Sequence, residues 1–405
     1  MKVSQALKLV SIKPPSGSRT SRRLERCRTI DDVRLAAKRR LPRPVFDYVD
    51  GGADGEDSLR NNTDALSRYH YQPRVLTDVS NPDISATILG RKTAAPLGFA
   101  PTGYTRMIDP RGEPAVARAA ARVGIPYVLS TMASTSLEDL AGTAGVNSAD
   151  LWFQLYVWKD RALTLDLVSR ASASGYRVLE VAVDTAVTGN RLRDARNGLT
   201  IPPALSLRSL GDIGSRPGYW AGMLAGPALK FANVEGRASG YSVDNIGQLF
   251  DPGVTWEDLE TLRDAWPGQL ILKGPIGPAD AKRAQSLGVD GVHLSNHGGR
   301  QLDRTLAPVD LVRPVRAAVG ADFAILVDSG IRHGSDIATT IALGADACMV
   351  GRAYLWGLVA GGQDGVEHVA GLLTDQFRRT LQLLGMASVE ELRAAGPGIL
   401  SPRCV

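Results

Sequence analysis

Of the five histidines in 405 residues, His297 has the setting of a reactive one. It stands in Ser295-Asn-His-Gly-Gly-Arg300, followed by two glycines that allow close approach and then by an arginine. An imidazole titrates near neutral pH without large perturbation, so it can take a proton from a reacting group. A lone histidine is more often structural, and the weight here rests on its neighbours. Arg300 offers a planar fork of donors able to clamp a carboxylate and hold the adjoining carbon in line for reaction. Lys273 ends the apolar run Leu270-Ile-Leu272, where it either snorkels to solvent or presents a fixed cation inside the protein.

Groups this far apart in the chain need a scaffold that brings them together. From about residue 97 onward, short apolar runs alternate with stretches of helical period. The runs read as eight strands: Leu97–Pro101, Tyr127–Thr131, Leu151–Tyr156, Val178–Thr185, Leu270–Gly274, Gly291–Asn296, Phe323–Gly330 and Ala347–Gly351. Glu113–Val123, Arg161–Ser174, Asp280–Leu287, Val309–Val319 and Ser335–Leu343 read as intervening helices. Thr255-Trp-Glu-Asp258 has capping-box spacing, Ser335-Asp336 is expected to open a helix, and Gly288 and Gly344 are placed to end one. The fold class is therefore α/β, a (β/α)8 TIM barrel, whose active site lies at the carboxyl ends of its strands. Polar residues collect at those ends. They are Ala100-Pro101-Thr102, Ser130, Gln154 with Tyr156, Asp184, Lys273, Ser295 to Arg300, Asp328-Ser-Gly330-Ile-Arg332 and Gly351-Arg352. The loops after strands seven and eight form the usual barrel phosphate site, which Asp328, Arg332, Gly351 and Arg352 fit. The barrel is assigned to residues 97–390, preceded by an N-terminal helical extension (1–96) with helices at Ile30–Arg40 and Asp57–Ala65. A long insertion (186–254) follows strand four, and 391–405 form a C-terminal tail.

The segment Ser295-Asn-His-Gly-Gly-Arg-Gln-Leu-Asp303 resembles the signature of the FMN-dependent 2-hydroxy-acid oxidases and dehydrogenases. The similarity runs from Leu41-Pro-Arg-Pro-Val-Phe-Asp-Tyr48 to about Leu384, through Trp152-Phe-Gln-Leu-Tyr156, Val183-Asp-Thr185 with Arg191, Leu272-Lys-Gly274, Asp328 to Arg332 and Val350-Gly-Arg352. The resemblance implies FMN as cofactor and oxidation of an L-2-hydroxy acid. His297 would take the hydroxyl proton while the α-hydrogen leaves as a hydride, with Asp184 stabilising the imidazolium. Arg191 and Arg300 would hold the substrate carboxylate, and Tyr48 and Tyr156 would hydrogen-bond the substrate. Lys273 would face the flavin N1 and C2 carbonyl. Ala100, Pro101, Thr102, Ser130, Gln154 and Ser295 would contact the cofactor, Asp328 its ribityl hydroxyls, and Gly330, Arg332, Gly351 and Arg352 its phosphate end. Three positions depart from the family pattern. Met132 replaces a tryptophan beside the substrate side chain, Ala182 replaces a threonine, and Pro275 follows Lys-Gly. Arg216-Pro-Gly-Tyr-Trp220, Phe250 to Trp256 and Gly351 to Trp356 look like bacterial respiratory L-lactate dehydrogenases. That likeness implies L-lactate oxidation, a quinone acceptor, a homotetramer and attachment to the inner face of the cell membrane. L-mandelate dehydrogenase, an O2-dependent oxidase and an inactive FMN-barrel binding protein are the alternatives.

Composition is compatible with this reading. Residues 1–43 hold thirteen Lys or Arg against three Asp or Glu, while the whole chain is +5. Such an arm could meet anionic lipid but is more often simply solvated, and nothing resembles a nucleic-acid module. Cys27, Cys348 and Cys404 lack metal-ligand spacing, which implies a reducing, cytoplasmic setting with no metal site. Ala6–Val10 is too short an apolar core for a secretory signal. Ala360-Gly-Gly-Gln-Asp-Gly365 does not follow a strand, so no dinucleotide site is expected. Within the insertion, Trp220, Met223, Leu224, Leu229 and Phe231, near Lys230, Glu235 and Arg237, read as either a membrane contact or an active-site lid.

Overall fold

The computed structural model describes residues 17–198, 211, 214–234 and 250–402. Eight parallel strands close into one barrel: β1 (Leu97–Phe99), β2 (Pro126–Ser130), β3 (Asp150–Tyr156), β4 (Val178–Ala182), β5 (Gln269–Gly274), β6 (Gly291–Leu294), β7 (Ala324–Val327) and β8 (Ala347–Val350). Every expected strand is present in its expected order. Six stop earlier than the apolar runs do, β1, β2, β6 and β8 by one or two residues and two by three, β4 at Ala182 rather than Thr185 and β7 at Val327 rather than Gly330. After β7 the cause is local: Ser329 and Gly330 take φ of 70° and 106°, which no strand can accommodate.

Helices cover the outside of the barrel, among them Gly112–Val123, Arg161–Ala173, Pro278–Ser286, Pro308–Val319 and Gly334–Ala342. Trp256–Ala265 opens on the Thr255–Asp258 capping box, and Gly288 and Gly344 have positive φ, all as the spacing requires. The expected start at Ser335 is displaced. The cap is His333, and Asp336 is the third helical residue, where its Oδ2 accepts the His333 backbone N–H at 2.8 Å. Ser335 is already inside the helix.

Strand alternation divides the barrel interior into layers. Val128, Trp152, Val178, Ile271, Leu326, Ala347 and Met349 fill the bottom with apolar side chains, and Ile88 from the hairpin Ala86–Ile88/Arg91–Thr93 closes it. Two residues further along five of these strands stand Ser130, Gln154, Glu180, Lys273 and Asp328, with His293 at the same level on β6. The interior therefore turns from hydrocarbon to charge halfway up.

The N-terminal helices reach over the barrel mouth. Ile30–Lys38 starts on a Thr29–Asp32 capping box and buries Ile30, Val33, Ala36 and Ala37. Arg43–Asp50 is anchored by Arg34, whose guanidinium meets both oxygens of Asp50 at 2.5 and 2.7 Å. At the other end, Leu400–Pro402 pairs antiparallel with Tyr69–Tyr71. Cys27 and Cys348 are free and buried. Among the described residues no cluster of His, Cys, Asp or Glu could hold a metal, and no helix is long and apolar enough to cross a membrane.

The insertion is described only at residues 186–198, 211, 214–234 and 250–254; Glu235 and Arg237 lie outside the described residues, as do 1–16 of the basic arm and Cys404. Its helix Pro217–Ala225 leans on the barrel through Tyr219, whose hydroxyl donates to the Met107 carbonyl at 2.6 Å. Phe231 is buried and stacks on Tyr104 with ring centroids 4.7 Å apart. Of the five apolar residues singled out in this segment, only Leu224 is fully exposed.

Candidate active site

The carboxyl ends of the strands and the N-terminal cover enclose a cavity of about 310 Å³. Tyr48, Met132, Tyr156, Arg191, His297 and Arg300 line its outer part; Ala100, Pro101, Thr102, Ser130, Gln154, Lys273, Asp328, Gly330, Arg332, Gly351 and Arg352 line the remainder. Asp184 and Ser295 stand behind that wall, Asp184 against His297 and Ser295 beneath Lys273. Residues read from eight separate strand ends thus meet at one place.

His297 is held from two sides. Its Nδ1 lies 3.1 Å from Asp184 Oδ2, and its backbone N–H donates to Ser295 Oγ at 3.0 Å. Its φ of 57° is left-handed, an unusual conformation for a non-glycine residue and one that clusters at functional sites. The two following glycines answer to separate demands. A Cβ on Gly298 would stand 2.6 Å from the Arg352 guanidinium, and one on Gly299 would stand 2.6 Å from the Leu59 backbone nitrogen. The first makes room for a cavity cation, the second for the helix Asp57–Ser67. Nε2 is left facing the cavity, 3.5 Å from the Tyr156 hydroxyl.

The charges behave as a preorganised set. Burial pushes the Asp184 carboxyl up, but His297 and Lys273 outweigh it and hold the group below the usual carboxylate range. Burial drives the Tyr156 phenol far up, so it remains a neutral donor or acceptor at physiological pH. Lys273 stays charged despite burial because Asp328, Asp184 and Glu180 surround it. Its Nζ donates to Ser295 Oγ at 2.6 Å and lies 3.3 Å from Asp328 Oδ2.

Arginines supply the opposite imbalance. Among the described residues, no carboxylate lies within 4 Å of the guanidinium of Arg191, Arg300, Arg332 or Arg352, although all four line the cavity. Arg300 and Arg352 instead donate to backbone carbonyls of the N-terminal cover, including Gly51 O at 3.2 and 2.8 Å. Burial and Arg191 pull Arg300 down to about 10; burial, Arg300 and Arg332 pull Arg352 down to about 9. A cavity with this many unpaired cations is complementary to anions. Two separate anions fit it: one between Arg191 and Arg300 near His297, the other at Arg332 and Arg352 beside the β7 and β8 loops. Gln154 Nε2 and Arg191 Nε are buried donors with no partner among the described residues, as expected of groups awaiting a ligand. Lys273, the Asp328 acceptor, the unpaired Gln154 amide and the Arg332–Arg352 pair together suit a flavin mononucleotide.

Some contributors carry no role in the sequence reading. Gln301 lines the cavity and pins the loop after β4, donating to the carbonyls of Asp184 at 2.8 Å and Val187 at 3.0 Å and accepting from Gly189 N at 3.0 Å. Tyr354 sits under Thr102, within hydrogen-bond reach of its hydroxyl. Phe250 adds an aromatic wall, as does Phe231, which the sequence reading places in a membrane contact or lid. Gln301 lies inside the motif quoted for His297, so its place was marked although its task was not.

Comparison with known proteins agrees with this chemistry. The family model described as FMN-dependent dehydrogenase matches residues 37–396. A putative L-lactate dehydrogenase of Mycobacterium tuberculosis is 44% identical over 384 residues, covering 95% of this chain and 92% of that protein. An L-lactate dehydrogenase of Caulobacter vibrioides is 42% identical over 368 residues, covering 89% and 95%. Among solved structures, monotopic membrane (S)-mandelate dehydrogenase superposes with a TM-score of 0.88 at 37% identity, covering 93% of this chain and all of that one. A mandelate oxidase with 3,3-difluoro-2-hydroxy-3-phenylpropionic acid gives 0.78 at 36% identity, covering 93% and 98%.

Proposed function

The chain belongs to the FMN-dependent dehydrogenase family, and from that premise we propose that it oxidises L-lactate to pyruvate. The observation that carries the reaction class is the His297–Asp184 pair opening onto the same cavity as two arginines that have no carboxylate partner among the described residues. The choice of lactate is supported by relatives at 40–44% identity named as L-lactate dehydrogenases.

Bound FMN supplies a two-electron acceptor for the substrate's α-hydrogen. Arg191 and Arg300 take the carboxylate and fix the substrate's orientation. His297 Nε2 removes the proton of the C2 hydroxyl, and Asp184 stabilises the positive charge the imidazole acquires. Tyr156, 3.5 Å from Nε2, and Tyr48, on which the Arg300 guanidinium lies 4.9 Å from the ring centroid, hold the substrate oxygens. Met132 borders the substrate's side chain. Lys273, Ser295, Ser130, Gln154, Ala100, Pro101 and Thr102 hold the flavin ring; Asp328 accepts from the ribityl chain; Gly330, Arg332, Gly351 and Arg352 receive the phosphate. The proposal includes electron delivery to a quinone and peripheral attachment of a homotetramer to the inner face of the membrane. Exposed Leu224 and the mandelate dehydrogenase neighbour's description as a monotopic membrane protein support the attachment.

L-Mandelate is the second reading. Phe231, Phe250 and Met132 give the outer cavity an apolar, partly aromatic wall, and the structural neighbours act on mandelate. Anaerobic mixing with L-lactate, L-mandelate and glycolate, read as bleaching of the flavin band, decides between them. Fastest bleaching by lactate, with colour restored by a quinone rather than by air, is the expected result. Mandelate preference reassigns the substrate, rapid recovery in air makes the protein an oxidase, and no bleaching by any of the three overturns the reaction class.

A further inference from the structure

Below the cavity, the polar layer of the barrel contains two ionisable residues that the reaction does not use. Glu180 on β4 and His293 on β6 flank Lys273 on β5, and both are fully buried. His293 Nδ1 lies 2.8 Å from Glu180 Oε2. On the other side of the ring, Nε2 lies 3.2 Å from Asp328 Oδ2, an ion-pair contact whose angle is too bent for a good hydrogen bond. A neutral imidazole has one N–H and would turn its lone pair toward one of these carboxylates; only the imidazolium faces both favourably. Burial alone would lower the proton affinity of His293, but Glu180 and Asp328 outweigh it and raise it. The layer therefore holds two anions, Glu180 and Asp328, and two cations, His293 and Lys273.

Neither Glu180 nor His293 lines the cavity, whereas Asp328 and Lys273 both do. Asp328 Oδ2 is shared between the cations, 3.3 Å from Lys273 Nζ and 3.2 Å from His293 Nε2. Each cation thereby limits how far Asp328 neutralises the other. A buried ion pair is weak support for stability, since well-packed hydrocarbon of similar volume often does as well. What it does supply is a fixed field in a medium of low dielectric, directed at whatever occupies the cavity floor.

We propose that Glu180 and His293 are positioning residues that set the electron affinity of bound FMN, acting through the Asp328 carboxylate that His293 shares with Lys273. The proposal rests on FMN occupying the cavity against Lys273. Removing the imidazolium returns Asp328 wholly to Lys273 and makes the floor more negative, which opposes electron uptake. Removing the Glu180 charge leaves His293 less balanced and makes the floor more positive, which favours it.

The test is the two-electron midpoint potential of the FMN holoenzyme, measured by chemical reduction against a reference dye with no hydroxy acid present. His293→Gln is expected to lower the potential and Glu180→Gln to raise it, each by about tenfold in the oxidation–reduction equilibrium, which is ~30 mV for two electrons. The double variant Glu180→Leu/His293→Val, which removes one charge of each sign, is expected to return close to the parent. A purely structural role would weaken folding in both single variants without opposite shifts in potential. Shifts of the same sign, or none beyond about twofold, overturn the proposal. Because no substrate enters the measurement, an error in the substrate assignment leaves this result intact.

Discussion

Replacement of Asp184 by Asn keeps the shape beside His297 and removes only the charge. In the native protein the carboxylate oxygen lies 3.1 Å from Nδ1, and the Asp184 side chain is 4% exposed. Unit charges ~4 Å apart attract by about 4 kcal/mol at an effective dielectric of about 20. The His297 side chain is 24% exposed, so solvent screens part of this, and about half, ~2 kcal/mol, is a fair expectation. That energy favours the imidazolium over the imidazole. It therefore stabilises the state in which His297 has taken the hydroxyl proton, and its loss slows the step roughly thirtyfold. Anaerobic stopped-flow reduction by saturating L-lactate measures this rate. FMN content and the thermal melting profile should stay near parental, because Asn still accepts from Nδ1–H. A reduction rate within threefold of the parent refutes the role assigned to Asp184.

Arg300→Lys keeps a cation in the cavity but loses the planar fork, and should raise the KM for L-lactate about 30-fold or more while FMN remains bound. Steady-state kinetics with quinone dye checks this, and a KM within threefold of the parent removes Arg300 from carboxylate binding. Gly330→Ala should destabilise the fold by more than ~2 kcal/mol and weaken FMN retention, because φ is 106° and the new Cβ would meet the Asn62 carbonyl oxygen at 2.2 Å. Urea unfolding beside Gly277→Ala, where nothing lies within 4 Å of the added carbon, is the comparison; equal midpoints would show that the β7 loop is not constrained as described.

The barrel was legible because its signals are local. Each strand is a short apolar run, each polar end is contiguous with it, and connections in such a fold admit one arrangement of the mouth. The motif around His297 was legible as a unit, but it mixes two purposes. His297, Arg300 and Gln301 face the cavity, while Asn296 exchanges hydrogen bonds with Asn62 at 2.9 and 2.7 Å and Asp303 accepts from Ser58 N at 2.7 Å. Part of the motif therefore docks the N-terminal cover onto the barrel. Spacing alone does not separate these tasks, because both require polar residues next to glycine. The insertion was less legible for a related reason. Phe231 reads as part of one apolar stretch with Leu224, yet the chain turns it inward onto Tyr104 and leaves Leu224 in solvent.

The buried pair shows where a strand-by-strand reading stops. Glu180 appears as one polar interruption in Val178-Leu-Glu-Val-Ala182, and His293 as one in Gly291-Val-His-Leu294; alone, either is an unfavourable residue in an otherwise apolar strand. They become favourable only together, and only after the barrel closes with β5 between them, which places residues 113 positions apart at 2.8 Å. The alternation rule contains the clue. Inward positions can be counted from Val178 to Glu180 and from Gly291 to His293; His293 then pairs with Lys273, and Glu180 stands one inward position before Ala182, the residue paired with Lys273. Two opposite charges at one interior level of a closed barrel must pair, since neither has water or a surface to reach. Their pairing is thus dictated by closure, while their value to the protein depends on what Asp328 and Lys273 present to the cofactor. Opposite shifts in flavin potential from His293→Gln and Glu180→Gln are the consequence that packing alone does not produce.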